Sequence, residues 1–381
     1  MAPLRIIHLL RGAQGGSFRH LCDLAREQAK RGHEVGLVTS TGVGGKATDA
    51  ALAAMEPHCA LGVHRFPMDR SLGPSDIGAV RSIGRVFRET RPHIVHGHGA
   101  KGAAYARLLA RRCGAKAIYT PHGGSLHFSW GSVAGMVYLG LERVLKKRTD
   151  GLIFASAYAG RSYQDKIGTP PCPWRVIHNG LHDEEFVPVP RGGEEHDFVF
   201  VGEIRRLKGI DVLLEAVAAL KRERPVSVLM VGAGPDEAHL QDRVQELDVS
   251  DSVTISPPIH PARDAFAMAK CVVIPSLAES LPYIVLEVLA SGVPLLATRV
   301  GGIPEIFGSH ADSLLPPGDA DALAAAMAAF LDDPERAREE AELLRSHLER
   351  HVRVPQMTDA TMELYELALG AVDPATSATP R

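Results

Sequence analysis

Two glutamates eight positions apart, Glu279 and Glu287, straddle a strand-to-helix junction in Pro275-Ser-Leu-Ala-Glu279-Ser-Leu-Pro282-Tyr-Ile-Val-Leu-Glu287. Pro282 suits the first turn of a helix, which puts Glu279 just before the helix and Glu287 inside it. Helical side chains lean toward the N-terminus, so Glu287 reaches back toward the same pocket. The amides of Ser280, Leu281 and Tyr283 open that helix and, with its dipole, attract an anion. A ligand carrying both hydroxyls and phosphates fits such a place. The plainer reading makes Glu279 a helix cap and Glu287 a solvated charge. Against it, Glu287 sits within the apolar run Ile284 to Ala290, where a bare carboxylate would cost roughly several kcal/mol unless paired or bound.

A second chemistry-bearing stretch is Gly202-Glu-Ile-Arg205-Arg206-Leu-Lys208-Gly209, in which three cations leave the end of a strand. Guanidinium and ammonium groups there suit a diphosphate that gathers charge as a bond to it breaks. Gly15-Gly16-Ser17 opens another helix, and glycine lets backbone approach a phosphate closely. Thr120-Pro-His122-Gly-Gly124 follows a strand. Taken singly, these last two read as connecting turns, and His122 as one of 18 histidines. His96 and His98 share a strand face near His93, but no carboxylate or cysteine stands at ligand spacing, so no metal is expected. Asp319-Ala-Asp321 reads as a helix cap rather than a metal motif.

The elements that position these residues alternate between strand and helix through all 381 residues. Expected strands in the first half are Leu4 to Leu10, Val35 to Thr39, His93 to His96, Lys116 to Thr120, Gly151 to Ala155 and Arg175 to His178. A helix capped by Ser17 runs to Arg31, and another spans Ala103 to Arg112. In the second half the expected strands are Phe198 to Val201, Ser227 to Val231, Val253 to Ile255, Val272 to Ile274 and Pro294 to Thr298. Helices there run from Ile210 to Arg222, after Pro235, and from Pro282 to Ser291. The stretch from Leu323 to Leu369 is helical and broken at Pro334 and Pro355. The fold class is therefore α/β, two doubly wound Rossmann-like domains facing a cleft. We divide the chain into 1–190, 191–355 and a C-terminal helix in 356–381 that packs back on the first domain before a frayed tail from Asp373.

Composition narrows the class. The chain is 45% apolar and 23% charged, which excludes a disordered or disulfide-stapled protein. Five scattered cysteines without a CxxC fit a reducing compartment. The net charge of −3 hides an asymmetry: residues 1–190 carry +11 and the remainder −14. Ala117 to Leu141 has no charged residue, yet Pro121 and its glycines and histidines make it a poor membrane span. Phe128, Trp130, Val133, Met136, Val137, Leu139 and Leu141 then meet Arg143 and Lys146-Lys-Arg148, an apolar stripe against a basic cluster that suits an anionic membrane surface or phosphate-bearing lipid. A core helix with solvated ends is the competing reading. Aromatic content of 5% and the lack of a nucleic-acid motif argue against RNA or DNA as partner.

The Glu279 to Glu287 stretch, followed by Gly292-Val-Pro294 and Thr298-Arg-Val-Gly-Gly-Ile-Pro-Glu305, resembles the signature of retaining nucleotide-sugar glycosyltransferases of the GT-B type, family four, as found in bacterial cell-surface polysaccharide synthesis. The resemblance covers most of 198–308 and, more thinly, 1–190. It implies that Glu279 binds a donor-sugar hydroxyl, Glu287 the ribose, and Ser280, Leu281 and Pro282 the donor phosphate or sugar. It implies a donor contact for Gly16, an Asn179-Gly180 hinge, and a sugar contact for His122 near the reacting centre. Gly202 and Lys208 match the family's basic loop, whereas Glu203 stands where the family has arginine. Arg205 is taken as the replacement, with Arg206 second. The expected activity is transfer from a nucleotide-diphosphate sugar to a polysaccharide or lipid-linked acceptor, without metal or cofactor, in the cytoplasm and peripheral on the inner face of the membrane. The rivals are an epimerase or hydrolase on the same scaffold and a non-catalytic sugar-nucleotide binder.

Overall fold

The computed structural model describes residues 2–69, 71, 73–190, 193 and 195–370; the tail expected to fray from Asp373 lies outside them. The chain divides into two compact units: Met1–Gly180 together with Val354–Arg381, and Leu181–Arg353. The segment after Gly180 belongs with the second unit for a visible reason. The Val189 amide donates to the Ser291 carbonyl at 3.0 Å, and Arg263 and Arg345 hold the carbonyls of Glu184, Val187 and Phe186.

Among the described residues the first unit holds a seven-stranded parallel sheet, β1 (Arg5–Leu10), β2 (Glu34–Ser40), β3 (Val63–Phe66), β4 (Ile94–His98), β5 (Lys116–Thr120), β6 (Gly151–Phe154) and β7 (Trp174–Val176), ordered 3-2-1-4-5-6-7. Its central strands β1, β2 and β4 are buried on both faces, which is why they read as largely apolar runs. On one face Ile7, Leu9 and Val95 pack beneath Ile83, Phe87 and Tyr105. On the other, Ile6, Ile94 and Ile118 pack against Leu24 and the last helix, Val354–Leu369, through Met362, Leu364 and Tyr365. The returning C-terminal helix thus covers the face on which His8, His96 and His98 lie.

The second unit repeats the plan with β8 (His196–Val201), β9 (Val228–Val231), β10 (Val253–Ser256), β11 (Ala269–Ile274) and β12 (Leu295–Ala297), all parallel and ordered 10-9-8-11-12. Helix Ile210–Lys221 buries Leu213, Leu214 and Val217 against this sheet, with Leu323, Met327 and Phe330 of helix Ala320–Asp332 beside them. Asp319 caps that last helix through the Ala322 amide at 2.9 Å. Pro334 opens the next helix, Pro334–His351, and Pro355 falls in the first turn of the one after it.

Four helix starts differ from the sequence expectation. The helix expected from Ala103 begins at Gly99. The first helix begins at Gly15, not after Ser17, and Gln14 precedes it without a side-chain cap. Gly15 takes φ +69°, a left-handed backbone that turns the chain straight from the β1 loop into the helix. Pro282 lies in extended backbone, φ −77° and ψ 129°, so the helix starts one residue later at Tyr283. Pro235 stays in the turn before helix Glu237–Glu246.

Candidate active site

In an open α/β sheet, ligands gather where the strand order reverses, outside the strand carboxyl ends. In the second unit that reversal lies between β8 and β11, and the two chemistry-bearing loops are the ones that leave those strands. Lys208 Nζ donates to Glu279 Oε1 at 2.6 Å, and Ser276 Oγ donates to the same oxygen at 2.9 Å. The Glu279 side chain is 9% exposed and that of Lys208 26%. Among the described residues Glu279 Oε2 accepts no hydrogen bond, which leaves one carboxylate oxygen for a hydroxyl.

Backbone contacts fix this pair. The Leu277 amide donates to the Leu207 carbonyl at 2.9 Å, Thr298 Oγ1 to the Ser276 carbonyl at 2.6 Å, and the Gly302 amide to the Ser280 carbonyl at 2.7 Å. Gly301, at φ +58°, lies so near the Glu279 carbonyl that a Cβ would stand 2.1 Å from its oxygen; a Cβ at Gly209 would stand 1.9 Å from the Pro275 oxygen. The glycines of the sequence motif are therefore the points where one loop rests against the next.

The remaining predicted residues of this unit divide. Gly202 is in place beneath Gly232, where an added Cβ would meet the Gly202 oxygen at 1.9 Å. Pro282, which precedes helix Tyr283–Ala290, offers it no side-chain cap, Leu281 is buried, and among the described residues Ser280 Oγ is buried without a hydrogen-bond partner. Glu287 is half-buried inside the helix. Arg205 is not drawn onto the Lys208–Glu279 pair among the described contacts: it lies half-exposed with a loose 4.0 Å approach to Glu203. Arg206 bonds Asp211 at 3.1 Å and is 67% exposed.

In the first unit the order reverses between β1 and β4, and Gly16 stands exposed in the first turn of the helix after β1. His98 ends β4. His122 follows β5 at φ +50°, leading into Gly123 at +85° and Gly124 at +41°. Left-handed backbone at a non-glycine residue is costly and tends to mark functional sites. Below it, Glu142 forms a buried ion pair with Arg107 at 2.7 Å and accepts from Tyr119 and Ser125, each at 2.9 Å.

His122 belongs to a buried histidine cluster. His98 Nδ1 lies 3.0 Å from His122 Nε2, and His98 Nε2 lies 3.0 Å from His8 Nδ1. His20 sits edge-on to the His122 ring at 4.9 Å and bonds Asn179 at 3.1 Å. His96 pairs with Tyr365 OH at 2.7 Å and Thr120 Oγ1 at 2.8 Å. Burial holds His8 and His20 down to about 4, and His96, His98 and His122 well below the ordinary imidazole value; neighbouring histidines push the last three further down. Two trios, His8–His96–His98 and His20–His98–His122, bring one ring nitrogen each within 4.8 Å of one another. In the first trio every ring nitrogen is already in a hydrogen bond, so a metal would have to displace those bonds.

The sequence singled out His93, His96 and His98; the structure keeps the last two and replaces His93 with His8, His20 and His122. His93 instead accepts from the Arg5 amide at 3.0 Å. The missing signal was strand adjacency: β1 beside β4 sets His8 opposite His96.

Residues 182–344 match glycosyl transferases group 1, and residues 14–185 match Glycosyltransferase Family 4. The chain belongs to the family-four glycosyltransferases. A D-inositol 3-phosphate glycosyltransferase of Gordonia bronchialis is 26% identical over 94% of this chain and 85% of its own length. A glycogen synthase of Mycobacterium tuberculosis is also 26% identical, over 92% and 91%. Anabaena HepE in complex with UDP-glucose superposes with a TM-score of 0.79 at 17% identity, covering 97% of this chain and all of that one, a likeness that speaks for the fold. This glycosyltransferase thus has the two-domain, parallel-sheet architecture of GT-B enzymes.

Proposed function

We propose that this glycosyltransferase moves a sugar, with retention of configuration, from a nucleotide-diphosphate donor to a hydroxyl of a lipid-linked or polysaccharide acceptor. The observation that supports this most is the Lys208–Glu279–Ser276 cluster at the β8–β11 reversal. The donor's diphosphate takes the Lys208 ammonium and the Ser280 hydroxyl; Glu279 Oε2 accepts from a sugar hydroxyl, and Glu287 serves the ribose. Glu279, tied to Lys208 and Ser276, is a binder rather than a covalent nucleophile. The anomeric carbon–phosphate oxygen bond therefore breaks on the face where the acceptor oxygen bonds. The acceptor proton passes to the departing phosphate oxygen, whose new charge Lys208 holds. Side chains and helix amides supply the positive charge in this scheme, without metal.

The acceptor reading rests on the first unit. Val133, Met136, Val137 and Val144 project from helix Val133–Leu145 at 75%, 53%, 51% and 68% exposure, one stripe at helical spacing, beside exposed Arg143, Lys147 and Arg148. A cavity of about 600 Å³ lies in the same unit, lined by Gly12, His98, Leu108, Phe128, Tyr138 and Leu141. A lipid-borne acceptor fits both features. No helix among the described residues is long and apolar enough to cross a membrane, so attachment would be at the surface, and five free thiols suit the cytoplasmic side.

Incubation with UDP-, GDP- and ADP-sugars, with and without lipid-linked acceptor, tests the activity. One donor class is expected to be consumed only with acceptor, and proton NMR of the product should show the donor's anomeric configuration. An inverted product, or equal consumption by water, contradicts the reading. For the membrane, glutamate at both Met136 and Val137 is expected to weaken binding to phosphatidylglycerol vesicles at least about tenfold, since each buried apolar side chain is worth roughly 1.5–3 kcal/mol. Unchanged sedimentation with vesicles removes the stripe from the account.

A further inference from the structure

The histidine cluster has a direction. Gln28 Nε2 donates to Met362 Sδ at 3.6 Å, a thioether with no proton to return, and the amide also donates to the Tyr365 hydroxyl, so the Gln28 carbonyl faces His8. Its Oε1 lies 2.8 Å from His8 Nε2, which therefore carries the proton. A neutral imidazole has one N–H, so His8 Nδ1 is bare and accepts from His98 Nε2 across 3.0 Å. His98 Nδ1 is then bare in turn and accepts from His122 Nε2, again across 3.0 Å. His122 is left with a bare Nδ1 that meets no hydrogen-bond partner among the described residues.

We propose that Gln28, His8 and His98 are positioning residues which, through this one-way hydrogen-bond chain, hold His122 as its Nε2–H tautomer and present Nδ1 as an acceptor to a substrate hydroxyl. The first half, the tautomer, stands on geometry alone; the second rests on the proposed role of His122 in transfer. The chain works only with one proton per ring, because a second proton on His98 would set N–H against N–H. Burial of His8 and His98, both 0% exposed, enforces that state. The four links come from separate places: Gln28 from the first helix, His8 from β1, His98 from β4 and His122 from the turn after β5. Register makes this possible, since Leu10 pairs with His98 and His98 with Thr120 across adjacent strands. Its polarity is set entirely at the Gln28 end.

Long-range 15N–1H correlation on full-length protein labelled with 15N-histidine reads each ring's tautomer, with His122 assigned by its loss in His122→Gln. The wild type is expected to show His122 as Nε2–H alone. Gln28→Leu should give a mixture of both tautomers, and Gln28→Glu, whose carboxylate also accepts from His8, should restore the single form. Sugar transfer should fall about tenfold to a hundredfold in Gln28→Leu, the range seen when an outer partner orienting an imidazole is removed, and recover in Gln28→Glu. His122 as Nδ1–H in the wild type overturns the chain, and that spectrum decides even if Gln28→Leu fails to fold. A tautomer that does not change in folded Gln28→Leu overturns the control by Gln28. A tautomer that switches while transfer stays at the wild-type rate overturns the positioning role, and points to failure of the reading of His122 rather than of the hydrogen-bond chain.

Discussion

Glu279→Ala and Lys208→Ala are each expected to transfer sugar at no more than about a hundredth of the wild-type rate, the loss typical when a contact to developing charge is removed. In the proposed reaction the two side chains act on one bond from opposite ends, Lys208 at the phosphate oxygen on which charge appears and Glu279 at the sugar whose anomeric carbon becomes electron-poor. Removing either also disturbs the other, because Lys208→Ala leaves a carboxylate only 9% exposed with Ser276 as its remaining partner. The two losses should therefore combine to less than their product in the double variant. Arg206→Ala is the internal control. Its guanidinium is already engaged by Asp211 and lies 67% exposed, so transfer should stay within about twofold, as surface changes usually do. Initial rates under saturating donor, with thermal unfolding to show that each variant is folded, check this set.

Mild acid is the second large effect. His8, His20, His96 and His98 are 0–1% exposed and held neutral, with burial as the main cause. In the unfolded chain each regains a value near 6.5. Below that pH the unfolded state binds protons that the folded state refuses, so stability falls as pH drops from about 6.5 toward about 4 and is complete above 6.5. Each imidazole contributes up to about 1.4 kcal/mol per pH unit in that window. Four together remove several kcal/mol per unit, against a total of about 5–15 kcal/mol for an ordinary domain. Urea midpoints at pH 7.5, 6.5 and 5.5 should fall steeply between the last two, and amides of β1 and β4 should lose hydrogen-exchange protection in the same interval. A midpoint that holds until pH 4.5, where carboxylates begin to titrate, would show that the cluster is charged or solvated.

Both halves of the α/β alternation and most strands of each sheet are legible in the sequence because a parallel sheet covered on both faces needs unbroken apolar segments. Lys116 to Thr120 is readable to the residue. β3, Val-His-Arg-Phe, is not, since all four residues are only half-buried and no apolar run marks them. Helix Ser75–Thr90 escapes as well: it buries only Ala79, Ile83, Val86 and Phe87 beneath a basic outer face. That Glu279 and Lys208 come together is readable from glycines and proline that fix loops beside strand ends. Where Arg205 rests is not, because a flexible side chain on an exposed loop has no pattern that says so. The histidine chain is hidden for another reason. His8 lies inside an apolar strand, His20 and Gln28 on a helix, and only the strand order brings them to His98.

Calorimetric titration of the nucleoside diphosphate of the preferred donor into wild type, Lys208→Ala and Arg206→Ala bears most directly on the central claim, that the loops after β8 and β11 form a diphosphate-sugar site. A lost charge-assisted bond, worth about 1.5–3 kcal/mol, should weaken binding at least about tenfold in Lys208→Ala and leave Arg206→Ala near the wild type. Equal affinity in wild type and Lys208→Ala would contradict it.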